Sequence, residues 1–241
     1  MPKLRTKYVC QQCGGEQSKW VGKCPDCGAW NTLEEVAEIP QSPAQQRRQS
    51  ALAGSTALAQ GTVSPVILPK VQPLAQERIQ VGYAEMDRVL GGGLVAGSLI
   101  LVGGEPGIGK STLLLQVAGN IARDAGPVLY VSGEESIQQV KMRAERLGIT
   151  GERLYLLSSI EMETIIDAVH RLKPAMVIVD SIQTTLAGHV TSAPGSISQV
   201  RECTLQLMQL AKNTHTPIFI IGHVTKAVSY THLTLPTILR V

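Results

Sequence analysis

No stretch of the chain reaches about 18 uninterrupted apolar residues, so a membrane-crossing helix is not expected and no membrane partner is foreseen. A secretory signal is missing too, because Met1 opens a Lys/Arg-containing stretch that runs into cysteines rather than an apolar core. A cytoplasmic location is the expectation. The chain also lacks charge of one dominant sign: the formal net charge is +3 over 241 residues, which excludes a bulk polyanion binder while leaving room for locally basic stretches. No internal repeat is visible. A disulfide framework is not expected in such a compartment, and four of the five cysteines are paired at two-residue spacings, which points to metal. The fifth, Cys203, stands in an apolar helical stretch and is expected to pack as a small hydrophobe.

What is present divides into zones. Residues 1–36 hold those four cysteines and both tryptophans in too short a span to bury a core without a staple. Residues 37–75 are rich in Gln, Ser, Ala and Pro with no sustained period, and read as a flexible linker. From Ile79 onward, apolar runs alternate with helical patterns. Leu99–Val102, Val128–Val131, Leu154–Leu157, Met176–Val179 and Ile218–Ile221 have the continuous apolar character of buried parallel strands. Thr112–Asp124, Ile137–Leu147, Ile160–Leu172 and Ile197–Asn213 carry apolar residues at helical spacing. The expected fold class is α/β, a mostly parallel sheet with helices on both faces, and 44% hydrophobic content suffices for its core.

Cys10-Gln-Gln-Cys13 and Cys24-Pro-Asp-Cys27 are two Cys-x-x-Cys knuckles ten residues apart, with Gly14-Gly15 after the first pair and Gly28 after the second. Four thiolates complete a tetrahedral shell around Zn²⁺ and leave no open position, so the metal is expected to hold shape rather than do chemistry. A redox dithiol would need one such pair beside a strand and helix, and neither is indicated here. Lys3, Arg5, Lys7, Lys19 and Lys23 outnumber Glu16 and Asp26 in this zone. Tyr8, Trp20 and Trp30 there either offer stacking faces to single-stranded nucleic acid or supply the ribbon's small core.

Gly104-Glu105-Pro106-Gly107-Ile108-Gly109-Lys110-Ser111 fits G-x-x-x-x-G-K-[ST], between a strand pattern and a helix pattern that starts at Thr112. Its glycines let backbone N–H groups converge on phosphate oxygens, and the helix N-terminus adds partial positive charge. Lys110 is expected to reach the β and γ phosphates of ATP, and the Ser111 hydroxyl to ligate Mg²⁺. A second acid should support that metal from the end of an apolar strand next to the P-loop strand; Met176–Asp180 supplies Asp180, whose other reading is a helix cap. Glu134, with Glu135 beside it, follows Val128–Val131 through Ser132-Gly133, which suits a group that activates water. Their other reading is as first-turn acids favoured by a helix dipole.

The segment from Gly82 to Leu94, followed by Gly97-Ser98 and the P-loop, resembles the approach segment of RecA-like ATPases. With a zinc ribbon in front, and with Gly133–Ser136, Asp180–Thr184 and Gly222–Lys226, the pattern resembles the RadA (Sms) family of bacterial DNA repair proteins from about Lys3 to Lys226. That resemblance implies an ATP-driven ring of identical subunits that binds single-stranded and branched DNA, works beside a recombinase filament and migrates branches. By matching position it implies that Lys110 and Ser111 bind nucleotide and magnesium, Glu134 activates water, Asp180 supports the metal and His223–Lys226 sense the γ phosphate. The core would span 76–226 and be incomplete. Ala227–Val241 matches nothing expected of the family and reads as a foreign tail on a shortened frame, leaving an unpaired sheet edge. The other reading is a short form whose tail adds an edge strand. Two further functions compete: a P-loop kinase, and a zinc-ribbon adaptor that holds ATP as a structural ligand.

Overall fold

The computed structural model describes residues 5–10, 12–13, 15–38, 67–70, 78–223 and 237–240. The chain divides into two compact units with the main boundary between Gln76 and Glu77. In the first, β1 (Arg5–Cys10) pairs antiparallel with both β2 (Glu16–Gln17) and β3 (Leu33–Glu38). Among its described residues, Val9, Leu33 and the cysteines Cys10 and Cys24 are buried. Of the stretch 37–75 expected to be a linker, 37–38 and 67–70 are described: Ala37 and Glu38 end β3, so the ribbon's sheet runs two residues past the expected boundary at 36, and Leu68–Lys70 form a 3-10 turn.

The second unit is the α/β layer structure that the alternating pattern implies. A short helix α1 (Ala84–Val89) precedes β4 (Leu99–Gly104), and α2 (Lys110–Asp124), β5 (Val128–Ser132), α3 (Ile137–Arg146), β6 (Leu154–Ser158), α4 (Met162–Leu172), β7 (Met176–Asp180), α5 (Ile197–Thr214) and β8 (Ile218–His223) follow in turn. With β9 (Thr237–Arg240) they build a six-stranded parallel sheet in the order β6-β5-β7-β8-β4-β9. β4, β5, β7 and β8 are apolar on both sides because each side is roofed, whereas β6, expected to be a buried strand, lies at the sheet edge with Tyr155 exposed. Ile100, Val102, Tyr130, Ile178, Phe219 and Ile221 meet α2 and α3; Leu99, Leu101, Val131, Val177, Val179 and Ile220 meet α4 and α5. Cys203 is buried in the second of these layers, as its setting in the sequence implied. The edge of β4 that was expected to stay open is paired by β9 over Ile100–Gly103.

Helix ends depart from the periodicity where local chemistry takes over. α2 begins at Lys110, two residues before the apolar pattern, because the P-loop feeds straight into it. α3 is fixed by a capping box in which Ser136 Oγ accepts from Gln139 N (3.3 Å) and Gln139 Oε1 accepts from Ser136 N (2.9 Å). α4 starts at Met162 because Glu161 is still extended. At the start of α5, the fully buried Gln199 ties down the loop before it: its Oε1 accepts from Ala187 N (3.0 Å), and its Nε2 donates to Val190 O (3.0 Å) and Ser192 O (3.0 Å).

Candidate active site and metal centre

The phosphate loop leaves the C-terminal end of β4, where open α/β sheets collect ligands. Gly107 and Gly109 adopt φ of 81° and 100°, and nothing lies within 4 Å of where a Cβ would stand on either. Glycine is therefore required there by backbone conformation rather than by crowding. Glu105, Pro106 and Ile108 are exposed, Ser111 and Thr112 are half-buried in the first turn of α2, and Lys110 is 3% exposed. The Lys110 ammonium donates to Gly104 O (2.9 Å) and Glu105 O (2.8 Å), across the mouth of its own loop. Burial pushes this amine below the ordinary lysine range, opposed by the nearby charges of Asp180 and Glu134.

Asp180 ends β7, but β7 is not the neighbour of the P-loop strand: β8 lies between them. The sequence expectation of adjacency is corrected by the return of the chain after α5, which inserts β8 beside β4 in parallel register from Leu99↔Ile218 to Gly104↔His223. Two strand spacings of about 4.8 Å still keep Asp180 within electrostatic reach of Lys110. Asp180 is not a helix cap; its Oδ2 accepts a 2.6 Å hydrogen bond from Tyr130 Oη, on the adjacent strand β5. Burial, followed by the Asp180 charge and this bond, pushes the Tyr130 phenol far up, so it stays a donor.

Glu134 and Glu135 part company. Neither lies in the first turn of α3, which has no acid there and is capped by Ser136. Glu135 pairs with Arg143 at 2.5 Å, and its amide donates to Ser132 Oγ at 3.0 Å. Glu134 instead accepts a 2.7 Å hydrogen bond from Ser181 Oγ, the fully buried residue directly after Asp180 across a cis peptide. Gly133 allows this approach: its amide donates to Asp180 O (2.8 Å), and a methyl on it would fall 2.1 Å from Thr184 Oγ1. The structure thus gathers Lys110, Asp180 and Glu134 at one rim. Ser181, Tyr130 and Arg143, which hold the acids, were not marked by the sequence. Ser181 carried a single cue, its place beside Asp180. His223 ends β8 opposite Gly104, while its side chain and Val224–Lys226 lie outside the described residues.

These groups fit ATP with Mg²⁺. An open loop of amides at a helix N-terminus and a buried ammonium suit phosphate, and a hydroxyl with a carboxylate is the hard oxygen set that Mg²⁺ takes. In the ribbon, the sulfurs of Cys10, Cys13, Cys24 and Cys27 lie within 4.8 Å of one another, with Cys10 Sγ and Cys27 Sγ 3.7 Å apart and no disulfide formed. Zn–S bonds of about 2.3 Å in a tetrahedron imply sulfurs about 3.8 Å apart, so the cluster fits Zn²⁺. Both knuckles fold alike: Cys10 N donates to Gly15 O (2.9 Å) and Cys24 N to Ala29 O (2.8 Å). Among the described residues, no helix is long and apolar enough to cross a membrane.

Comparison with known proteins agrees with this division. Residues 8–35 match the rubredoxin metal binding domain and residues 68–229 match the AAA domain. DNA repair protein RadA of Bacillus subtilis is 50% identical over 226 residues, which cover 94% of this chain and 48% of that protein. The RadA protein of Halalkalibacterium halodurans is 48% identical over 226 residues (94% and 48%), and that of Listeria monocytogenes 47% over 227 residues (93% and 47%). The chain spans about half the length of the curated relatives it matches. With a phosphate loop at the rim of a parallel sheet and its match running over residues 68–229, the chain belongs to the AAA domain family.

Proposed function

We propose that this chain carries the ATPase core of a DNA repair motor that binds single-stranded and branched DNA and migrates branches beside a recombinase filament in the cytoplasm. The working parts are the ribbon at 1–36, the connector at 37–75 and the core at 76–226; in the longer relatives such cores would close into a ring. The observation that supports this reading best is the gathering of Lys110, Asp180 and Glu134 at one rim of the sheet, with Ser181 orienting Glu134. Mg·ATP supplies an activated γ-phosphoryl group when bound. Gly104–Thr112 hold the phosphates through loop and helix amides, and Lys110 turns from its two carbonyls to phosphate oxygens. Ser111 and Asp180 would be the residues that hold the metal, which would offset the charge of the phosphates. Glu134 accepts a proton from the attacking water, and its bond to Ser181 aims the carboxylate.

The test is ATP hydrolysis with and without single-stranded DNA by this chain, by Lys110→Ala, by Glu134→Gln and by a version continued past residue 226 as in the relatives. Lys110→Ala should lose nucleotide binding, whereas Glu134→Gln should bind and turn over about 10²-fold or more slowly. A longer protein that DNA does not stimulate would refute the motor. Nucleotide binding without turnover in both lengths would favour the adaptor.

A further inference from the structure

The chain's two tryptophans are both on the ribbon, and neither is in its core: Trp20 is 55% exposed and Trp30 70%. Among the described residues of the ribbon, Val9, Cys10, Cys24 and Leu33 are buried, while the indoles face water. They are not scattered. A methyl on Gly22 would touch Trp20 Cη2 and Trp30 Cζ3 at 3.9 Å each, so the two ring edges converge over this glycine. Lys23 Nζ stands 5.6 Å from the Trp30 ring centroid, and Lys19 is exposed one position before Trp20. Lys23 and Trp30 are antiparallel bridge partners, and Asn31 N donates to Gly22 O (2.8 Å). The pair therefore sits on the hairpin that carries Cys24 and Cys27, whose spacing the four-sulfur cluster pins.

We propose that Trp20 and Trp30, with Lys19 and Lys23, form a stacking platform for single-stranded DNA. Exposed π faces bordered by ammonium groups complement a polymer that alternates flat bases with phosphates. A protein partner would instead be met by an apolar patch depleted of charge at its centre, and duplex DNA hides its base faces. The platform stands on the ribbon's own geometry, and only the choice of DNA as the strand rests on the motor reading.

Because the chain has no other tryptophan, its indole emission reports this face alone. The zinc-loaded full chain is titrated with a short thymidine oligonucleotide. Saturable quenching that weakens with added salt is expected, with affinity reduced at least about fivefold in Trp30→Ala, largely kept in Trp30→Phe, and reduced in Lys23→Glu. Heparin, a polyanion without bases, and a duplex of equal length should not quench. Zinc content checks each fold, and if Trp30→Ala loses metal the Lys23→Glu titration decides. No quenching, equal quenching by heparin, or unchanged affinity in the variants overturns the platform; quenching by uridine but not thymidine oligonucleotides overturns the assignment to DNA. DNA-free ATP hydrolysis should be unaffected by Trp30→Ala. Intact quenching with no DNA-stimulated hydrolysis by the version continued past residue 226 would sink the motor and leave the platform standing.

Discussion

Replacing Gly133 by alanine tests whether the loop that carries Glu134 is set by its packing against the loop after Asp180. The added methyl would stand 2.1 Å from Thr184 Oγ1, 2.9 Å from Thr184 Cβ and 3.4 Å from Ile160 Cγ2. Non-bonded carbons rest at about 3.5–4.0 Å, so the two loops must separate by about 1 Å or more. Thr184 is not free to swing aside, because its Oγ1 donates to Ser181 O at 2.8 Å, and Ser181 is the residue that holds Glu134. Overpacking of this kind costs about 1–3 kcal/mol, and each kcal/mol lowers the unfolding midpoint by roughly 2–4 °C in a chain of this size. A displacement of about 1 Å at Glu134 should slow turnover by up to about 10²-fold while nucleotide binding, which depends on the P-loop, is little changed. The assays are thermal unfolding and single-turnover ATP hydrolysis. Thr184→Ala removes the 2.1 Å contact but not the 2.9 Å one, so the double variant should recover part of the lost stability, a coupling of about 0.5–3 kcal/mol. A Gly133→Ala protein with unaltered midpoint and turnover would refute the argument. So would a double variant no better than the sum of the singles.

Tyr130→Phe deletes the 2.6 Å bond to the Asp180 carboxylate within the sheet and should destabilise the core by about 1.5–3 kcal/mol in urea titration, with no such loss if that bond is idle. Lys110 titrates against folding. Its folded pKa lies below the ordinary 10.5, so the penalty is fully present below the folded value and is relieved as pH rises through it toward 10.5. The stability difference between this chain and Lys110→Met should therefore move in favour of this chain as pH climbs into the alkaline range, and a difference flat in pH would contradict the burial argument. Purified chain should carry about one zinc, Cys24→Ser should carry none, and chelation should change the ribbon's indole emission while leaving ATP binding by the core intact; a metal-free native chain would exclude the site.

The parts of this molecule that were legible in sequence are those specified by residues close together in the chain. The five apolar runs became β4 to β8, the P-loop fell between strand and helix, and the four cysteines came within bonding range of one ion. What was not legible depends on which strand lies beside which. Nothing in Ile218–Ile221 says that it will slot between Met176–Asp180 and Leu99–Gly104, because all three runs are equally apolar and the order is decided by how α5 crosses the sheet. Nor could Glu134 be separated from Glu135 by type or position; Arg143, eight residues beyond Glu135, claims the second acid, and Ser181 holds the first. The tryptophans were legible only as a choice between stacking faces and a small core; both indoles are exposed, as a cluster of four cysteines that can be stapled by metal leaves them free to be.

Gln199 has a consequence for how the segment before α5 is held. Position 199 tolerates only a side chain that is donor and acceptor at once: glutamate would turn an oxygen toward the carbonyls of Val190 and Ser192, and leucine would orphan those two carbonyls and the Ala187 amide. Residues 187–192 are thus fastened to α5 at three points by one side chain, so its loss would release the whole segment at once rather than one contact of it.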